Sequence, residues 1–220
     1  MDGLKYGLAM EENKITRLTV QKKNPNRVNV YLDGAFAFGL YQDTAAWLEV
    51  GQVLSDEKIT ELLSADHKRE VLVKALEFIS YKPRTVRETK QKLREAGFEE
   101  ELISQTIREI KREGLLDDAS YAEQWVEERQ RLRPRSSRVL AMELRRKGIS
   151  DTLIQSAIED VDDFQSAYEV ASNRIYKYEG LSEFDFRRKL GNYLYGKGYS
   201  WDVISDVQDK LWEEINDSEE

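Results

Sequence analysis

Three glycines set the frame for this chain. Gly97, Gly148 and Gly198 stand 51 and 50 residues apart, and their surroundings recur with them. Four residues before each glycine is Leu93, Leu144 or Leu194, and one residue after it is Phe98, Ile149 or Tyr199. Five and six residues after come Leu102-Ile103, Leu153-Ile154 and Val203-Ile204. Pro83 and Pro134 lie fourteen residues before the first two glycines, each followed by arginine (Arg84, Arg135), whereas the third copy has Phe184 there. Self-similarity at a fixed period marks tandem supersecondary units, each needing its neighbours to bury an apolar face.

The pattern within a unit predicts three helices. First helices are expected over 67–81, 118–131 and 163–178, second helices over 85–96, 136–147 and 183–195, and third helices over 99–113, 151–160 and 201–216. Start signals agree. Thr85 with Glu88 forms a capping box, Ser150 and Ser200 precede third helices, and Ser182 precedes the last second helix. The repeat glycines then end the second helices, where the left-handed backbone costs glycine least. Trp125, Trp201 and Trp212 are expected to pack in the core or between repeats.

Upstream, the period changes from helical to alternating. Ile15–Gln21 is rich in β-formers, Asn24-Pro25-Asn26 is a turn, and Val28, Val30 and Leu32 alternate with polar residues. Asp33-Gly34 suits a tight hairpin, after which Phe36, Phe38 and Leu40 alternate with Ala35, Ala37 and Gly39. A three-stranded meander is expected, its apolar face covered by helices over 43–50 and 56–65, the second capped by Ser55. An edge strand of such a module is open to a partner. The fold class is therefore mainly α: three tandem three-helix repeats (66–114, 115–161 and 162–220) behind a small α+β module (1–65).

Charge is distributed as unevenly as the elements. Residues 1–65 carry net −2, residues 66–147 net +4 and residues 148–220 net −10. The middle segment owes its sign to a block in which eight of nineteen residues, 129–147, are basic and only Glu143 is acidic. Arg129, Arg131, Arg133, Arg135 and Arg138, then Arg145, Arg146 and Lys147, form that block, and Lys82, Arg84 and Arg87 precede it with Lys90, Lys92 and Arg94. Such cations suit carboxylates or phosphates of a partner, arginine through its forked geometry.

Catalytic constellations are not evident. The single histidine, His67, has no partners for metal binding or acid–base work, and no cysteine is present, which fits a reducing compartment and gives no disulfide framework. Gly191 to Gly198 nearly spells a phosphate loop, but Gly198 stands where the magnesium-binding Ser/Thr would be and no strand precedes it. Helix-turn-helix DNA reading is disfavoured because third helices open on carboxylates, Glu99 to Glu101 and Asp151, which repel phosphates. No secretory leader is evident in the opening residues, and no apolar run reaches the 18 or so residues of a membrane span. No enzyme activity, cofactor or metal is expected.

At these residues the chain resembles a known family. Gly114-Leu-Leu-Asp-Asp-Ala-Ser-Tyr121-Ala with Trp125 and Arg129 is similar to the signature joining the first two repeats of RecX regulatory proteins. Lys82-Pro-Arg-Thr-Val-Arg-Glu with Lys92-Leu-Arg-Glu-Ala-Gly97-Phe resembles the family's first repeat, and Arg133-Pro-Arg-Ser with Glu143-Leu-Arg-Arg-Lys-Gly148-Ile resembles its second. The resemblance covers about 66–216, and the strand-bearing segment is similar to the N-terminal extension of some members. It implies a non-enzymatic, cytoplasmic regulator of the RecA recombinase, acting in recombination, repair and the SOS response. Such a protein lodges in the groove of the RecA filament on single-stranded DNA and modulates growth, ATP hydrolysis and strand exchange, usually downward. The overall acidity departs from the family's basic habit and favours a protein–DNA filament over naked DNA, so single-stranded DNA is expected as a weak or indirect partner of a monomer. A stand-alone helical DNA-binding protein is the alternative.

Overall fold

The computed structural model describes residues 13–217. Strands β1 (Ile15–Val20), β2 (Arg27–Leu32) and β3 (Ala35–Tyr41) form one antiparallel sheet in that order. Helices follow: α1 (Asp56–Ser80), α2 (Val86–Glu95), α3 (Glu100–Arg112), α4 (Asp118–Leu132), α5 (Ser137–Lys147), α6 (Asp151–Ile158), α7 (Asp163–Ser172), α8 (Glu183–Gly196) and α9 (Trp201–Asp217). The chain forms two compact units: the described residues up to Ser80 together with Lys92–Arg108, and Tyr81–Gln91 together with Glu109 onward.

In the first unit the sheet's inner face is built from alternate residues, as expected. Val30 and Leu40 are fully buried, and Leu18, Val28 and Phe38 pack with them against Leu48, Leu54 and Leu62. Two bulges break the alternation. Ile15 pairs with Leu32 while Arg17 pairs with Tyr31, so Thr16 is the extra residue on β1. Val30 pairs with Phe38 while Tyr31 pairs with Phe36, so Ala37 is the extra residue on β3. A bulge changes which side of the sheet a side chain faces. Phe36, expected inward with Phe38 and Leu40, is accordingly turned to the outer face and is 59% exposed.

The helices of this module also differ from expectation. Residues 43–50 form successive turns, not a helix. A segment of eight residues is too short to overcome helix nucleation unaided, yet its Ala45 and Leu48 still plug the sheet. The two helices expected on either side of residue 66 are one, α1, which contains neither glycine nor proline. Asp66 lies within it, nearly buried, and is an anchor: its carboxylate accepts from the Tyr41 backbone N–H at 2.5 Å and from Arg27 at 2.8 Å. The expected module boundary at 65/66 thus falls inside a continuous helix. Likewise α7 stops at Ser172, followed by a 3-10 turn at Ile175–Lys177, where a helix to 178 was expected.

The repeat register holds in three dimensions. Gly97, Gly148 and Gly198 have φ of 88°, 85° and 95°, the left-handed region where a Cβ is strained. The residue after each glycine donates its N–H to the leucine carbonyl five residues back: Phe98 to Leu93 at 3.3 Å, Ile149 to Leu144 at 3.2 Å and Tyr199 to Leu194 at 3.3 Å. These are three copies of one Schellman turn. The three leucines are fully buried, as are Ile103, Ile154 and Ile204 in the helices that follow. In the second unit, repeat 2 closes its core with Tyr121, Ala122, Val126, Leu140 and Leu144, and repeat 3 with Ala167, Phe186, Leu190, Val207 and Leu211.

Candidate partner-binding surface

What holds the cationic block in place is a joint between repeats that occurs twice within the second unit. At its first occurrence Thr85 and Glu88 cap the start of α2 reciprocally, Glu88 N–H donating to Thr85 Oγ1 at 3.2 Å and Thr85 N–H to Glu88 Oε2 at 3.3 Å. The same Thr85 hydroxyl donates to the Lys147 carbonyl at the end of α5, 2.9 Å away. Asp118, opening α4, accepts the Val86 N–H at 2.9 Å. At the second occurrence Ser136 donates to the Gly198 carbonyl at 2.7 Å, and Asp163, opening α7, accepts the Ser137 N–H at 2.7 Å. Each joint satisfies the free N–H groups of one second helix with the next repeat's first helix, and the carbonyl end of the next second helix with a hydroxyl. Close approach requires glycine: a Cβ on Gly148 would collide with the Arg87 side chain, and one on Gly198 with Val139.

This frame divides the eleven candidate cations. Arg129 is half-buried and bound to Glu143 at 3.0 Å, with its guanidinium 4.3 Å from the Trp125 ring centroid. Trp125 Nε1 donates to the same carboxylate at 2.9 Å, so the three side chains tie α4 to α5. Lys147 donates to Glu88 at 2.7 Å across the first joint. The Glu88 hydrogen bond raises the Lys147 pKa. Burial pushes Glu88 upward, but the Lys147 hydrogen bond and charge outweigh it, and the carboxyl sits below its ordinary value. Arg145 pairs with Asp151 at 2.7 Å on the surface, an arrangement contributing at most about 1 kcal/mol. Arg84 is half-buried with its charge near Glu88, and Arg135 is half-buried with its charge near Tyr199.

The others, Lys82, Arg87, Arg131, Arg133, Arg138 and Arg146, are exposed and have no ion pair among the described residues. Of these, Arg87 rests its stem on Gly148 and so belongs in part to the joint. Arg131 ends α4, Arg133 is its cap, and Pro134 forces the turn into α5. Arg138, Met142 and Arg146 recur at four-residue spacing along α5, which puts them on one exposed stripe. The connector and that stripe are the cationic surface left for a partner.

Two concavities in the same unit were not revealed by the spacing of charges. One, of about 270 Å³, has Tyr121 and Trp125 in its wall, their rings stacked with centroids 6.0 Å apart. Lys82, Pro83, Glu88 and Lys147 complete it with Gln124 and Glu128. Trp125, expected only to pack, therefore both packs and lines a cavity. The other, of about 670 Å³, runs between α4 and the start of α7 and holds Glu123, Glu127, Glu159, Asp160, Asp162 and Glu169 without a basic residue in its lining. An acidic groove and a basic stripe within one unit suit a partner surface of mixed sign.

Four family models match the chain: the regulatory protein RecX N-terminal domain over residues 13–55, and the first, second and third RecX three-helix domains over 72–109, 117–158 and 160–207. The regulatory protein RecX of Clostridium acetobutylicum is 32% identical over 94% of this chain and 100% of its own length. That of Bacillus subtilis is 29% identical over 93% of this chain and 80% of its own. A crystal structure of regulatory protein RecX superposes with TM-score 0.70 at 26% identity, covering 89% of this chain and 98% of that one. The crystal structure of RecX from Lactobacillus salivarius gives TM-score 0.62 at 27% identity over 67% of this chain and 97% of its own. No helix among the described residues is long and apolar enough to cross a membrane.

Proposed function

The chain belongs to the RecX family of regulatory proteins, and from that premise we propose that it regulates recombination and repair without catalysing a reaction, by seating its repeats in the groove of the RecA filament on single-stranded DNA. In this reading it is a cytoplasmic monomer of the SOS response that lowers filament growth, ATP hydrolysis and strand exchange. The observation that carries it is the set of exposed arginines, Arg131, Arg133, Arg138 and Arg146, that no carboxylate among the described residues neutralises. An arginine kept unpaired on a helix end or helix face is available to meet carboxylate or phosphate oxygens in bidentate fashion. Two like joints within the second unit tie repeat 2 to the start of α2 and to repeat 3, which reduces the ordering cost of binding along several subunits of a polymer.

RecA ATP hydrolysis on single-stranded DNA, titrated with this protein, tests the reading. Hydrolysis falls as the protein approaches stoichiometry with RecA, and an unchanged rate there rejects it. Should the protein instead shift duplex DNA tightly and sequence-selectively without RecA at about 150 mM salt, the stand-alone DNA-binding alternative takes its place.

A further inference from the structure

The outer face of the sheet carries a second feature, in the other compact unit and independent of the arginine stripe. Three outward rows cross the strands. Arg17, Tyr31 and Phe36 form one, with the Arg17 guanidinium 3.8 Å from the Tyr31 ring centroid and the two rings edge-to-face at 5.9 Å. Thr19, Asn29 and Gly39 form the next, where Gln21 donates to Asn29 at 2.8 Å. Arg27 and Tyr41 form the third, and this arginine is committed to Asp66. Both bulges act on the first row: the one at Thr16 lets Arg17 face outward while Ile15 stays buried, and the one at Ala37 turns Phe36 out of the core. Exposing a phenylalanine that simple alternation would bury gives up apolar burial, and bulges placed to re-aim side chains mark functional positions.

The charge around these rings is one-sided. From residue 14 to residue 42 there are five basic residues and a single carboxylate, Asp33, in a chain of net charge −8. Lys14 precedes β1 and Lys22 and Lys23 follow it, so with Arg17 on the strand there are four exposed cations without an ion pair among the described residues on and around β1. An exposed phenylalanine beside a half-buried tyrosine on a sheet, flanked by cations and by Asn and Gln amides, is the chemistry that takes unpaired bases: the ring stacks with a base, cations reach phosphates, and amides meet base edges. A protein partner would need several carboxylates to match the cations and would make no use of a ring free to stack.

We propose that the outer sheet face, centred on Phe36, Tyr31 and Arg17, is a platform for single-stranded nucleic acid, on which a base stacks against Phe36 beside the Arg17 guanidinium. The proposal does not rest on the filament reading, and its test omits RecA. Fluorescence anisotropy of the full chain with labelled oligo(dT), oligo(rU) and a duplex of about 20 nucleotides each measures it at about 150 mM salt. Single strands bind at least about tenfold tighter than the duplex, whose bases are not available for stacking, and the two single-strand arms tell whether deoxyribose or ribose is preferred. Phe36→Ala weakens single-strand binding about tenfold, and Phe36→Trp retains it. The slope of log affinity against log salt is unchanged in Phe36→Ala, because the ring carries no charge, and drops by about one in Arg17→Gln. Phe36 is on the surface, so a thermal melt of Phe36→Ala matching the parent separates binding from folding. Absence of single-strand binding by the parent, duplex binding as tight as single-strand binding, or full affinity in Phe36→Ala overturns the proposal.

Discussion

Repeats 2 and 3 share a turn, a cap and a core layout, yet the arginines on the surfaces of their second helices differ in how many are paired. On α8, Arg187 is held by Glu183 at 2.8 Å and by Asp209 at 2.6 Å, and Arg188 by Asp185 at 2.8 Å. On the connector and α5, Arg131, Arg133, Arg138 and Arg146 have no such partner among the described residues. The scaffold therefore does not dictate the charge pattern, which is written on exposed positions where substitution costs the fold little. Arginines neutralised by their own repeat have less to offer a partner, and it is on this difference that the proposed function assigns binding to repeat 2.

The largest effect we expect concerns the scaffold the two repeats share. Gly148→Ala places a Cβ at positive φ and into Arg87, so strain and overpacking add, and stability falls by about 2–4 kcal/mol. Gly97→Ala meets the same φ in open space and loses about 1 kcal/mol. Urea melts of both variants check the contrast. Equal losses would mean that the joint at Gly148 contributes nothing beyond the turn.

Next in size is the contrast in charge itself. Replacing Arg131, Arg133 and Arg138 together by alanine lowers affinity for the RecA filament about 10- to 100-fold, as expected when several charge-assisted hydrogen bonds are removed at once. Replacing Arg187 and Arg188 changes it less than about twofold, since both are already satisfied internally. Co-sedimentation with RecA filaments, with helical circular dichroism as the folding control, measures each. If the repeat 3 pair matters as much as the repeat 2 triple, pairing within the chain is no guide to function.

The repeats were legible in the sequence because a left-handed turn admits glycine with little competition and a buried layer needs leucine and isoleucine at fixed offsets. The meander was legible for a like reason, strict alternation around Asp33-Gly34. Phe36 was not, because a bulge is one extra residue in a pairing register and leaves the composition of the strand unaltered. Nor was the continuity of α1 through Asp66, whose partners Arg27 and Tyr41 come from distant strands. Within the basic block, the sequence shows eight cations alike. Which of them are engaged depends on Glu143, 14 residues from Arg129, and on Glu88, 59 residues from Lys147, and only the folded joint brings the latter pair together.

That last pair gives the smallest predicted effect and the finest test of how joint and surface divide the cations. Glu88 has its pKa lowered and Lys147 has its pKa raised, each by the other's hydrogen bond. A lowered carboxyl pKa contributes stability that is present above the ordinary value of 4.5 and lost as pH falls through the folded-state value. A raised lysine pKa contributes stability that is present below the ordinary value of 10.5 and lost as pH rises through the folded-state value. The pair thus supports the joint across the neutral range. Glu88→Gln removes the charge and keeps a similar shape, so it should cost about 1 kcal/mol at pH 7 and progressively less on acidification below pH 4.5, where the parent's own carboxyl protonates. Filament affinity should stay within about twofold of the parent, because Lys147 serves the joint and not the partner. A thermal-melt series against pH, run beside the co-sedimentation assay, decides the point: a large loss of filament binding with an unchanged melt would move Glu88 from the joint to the binding surface.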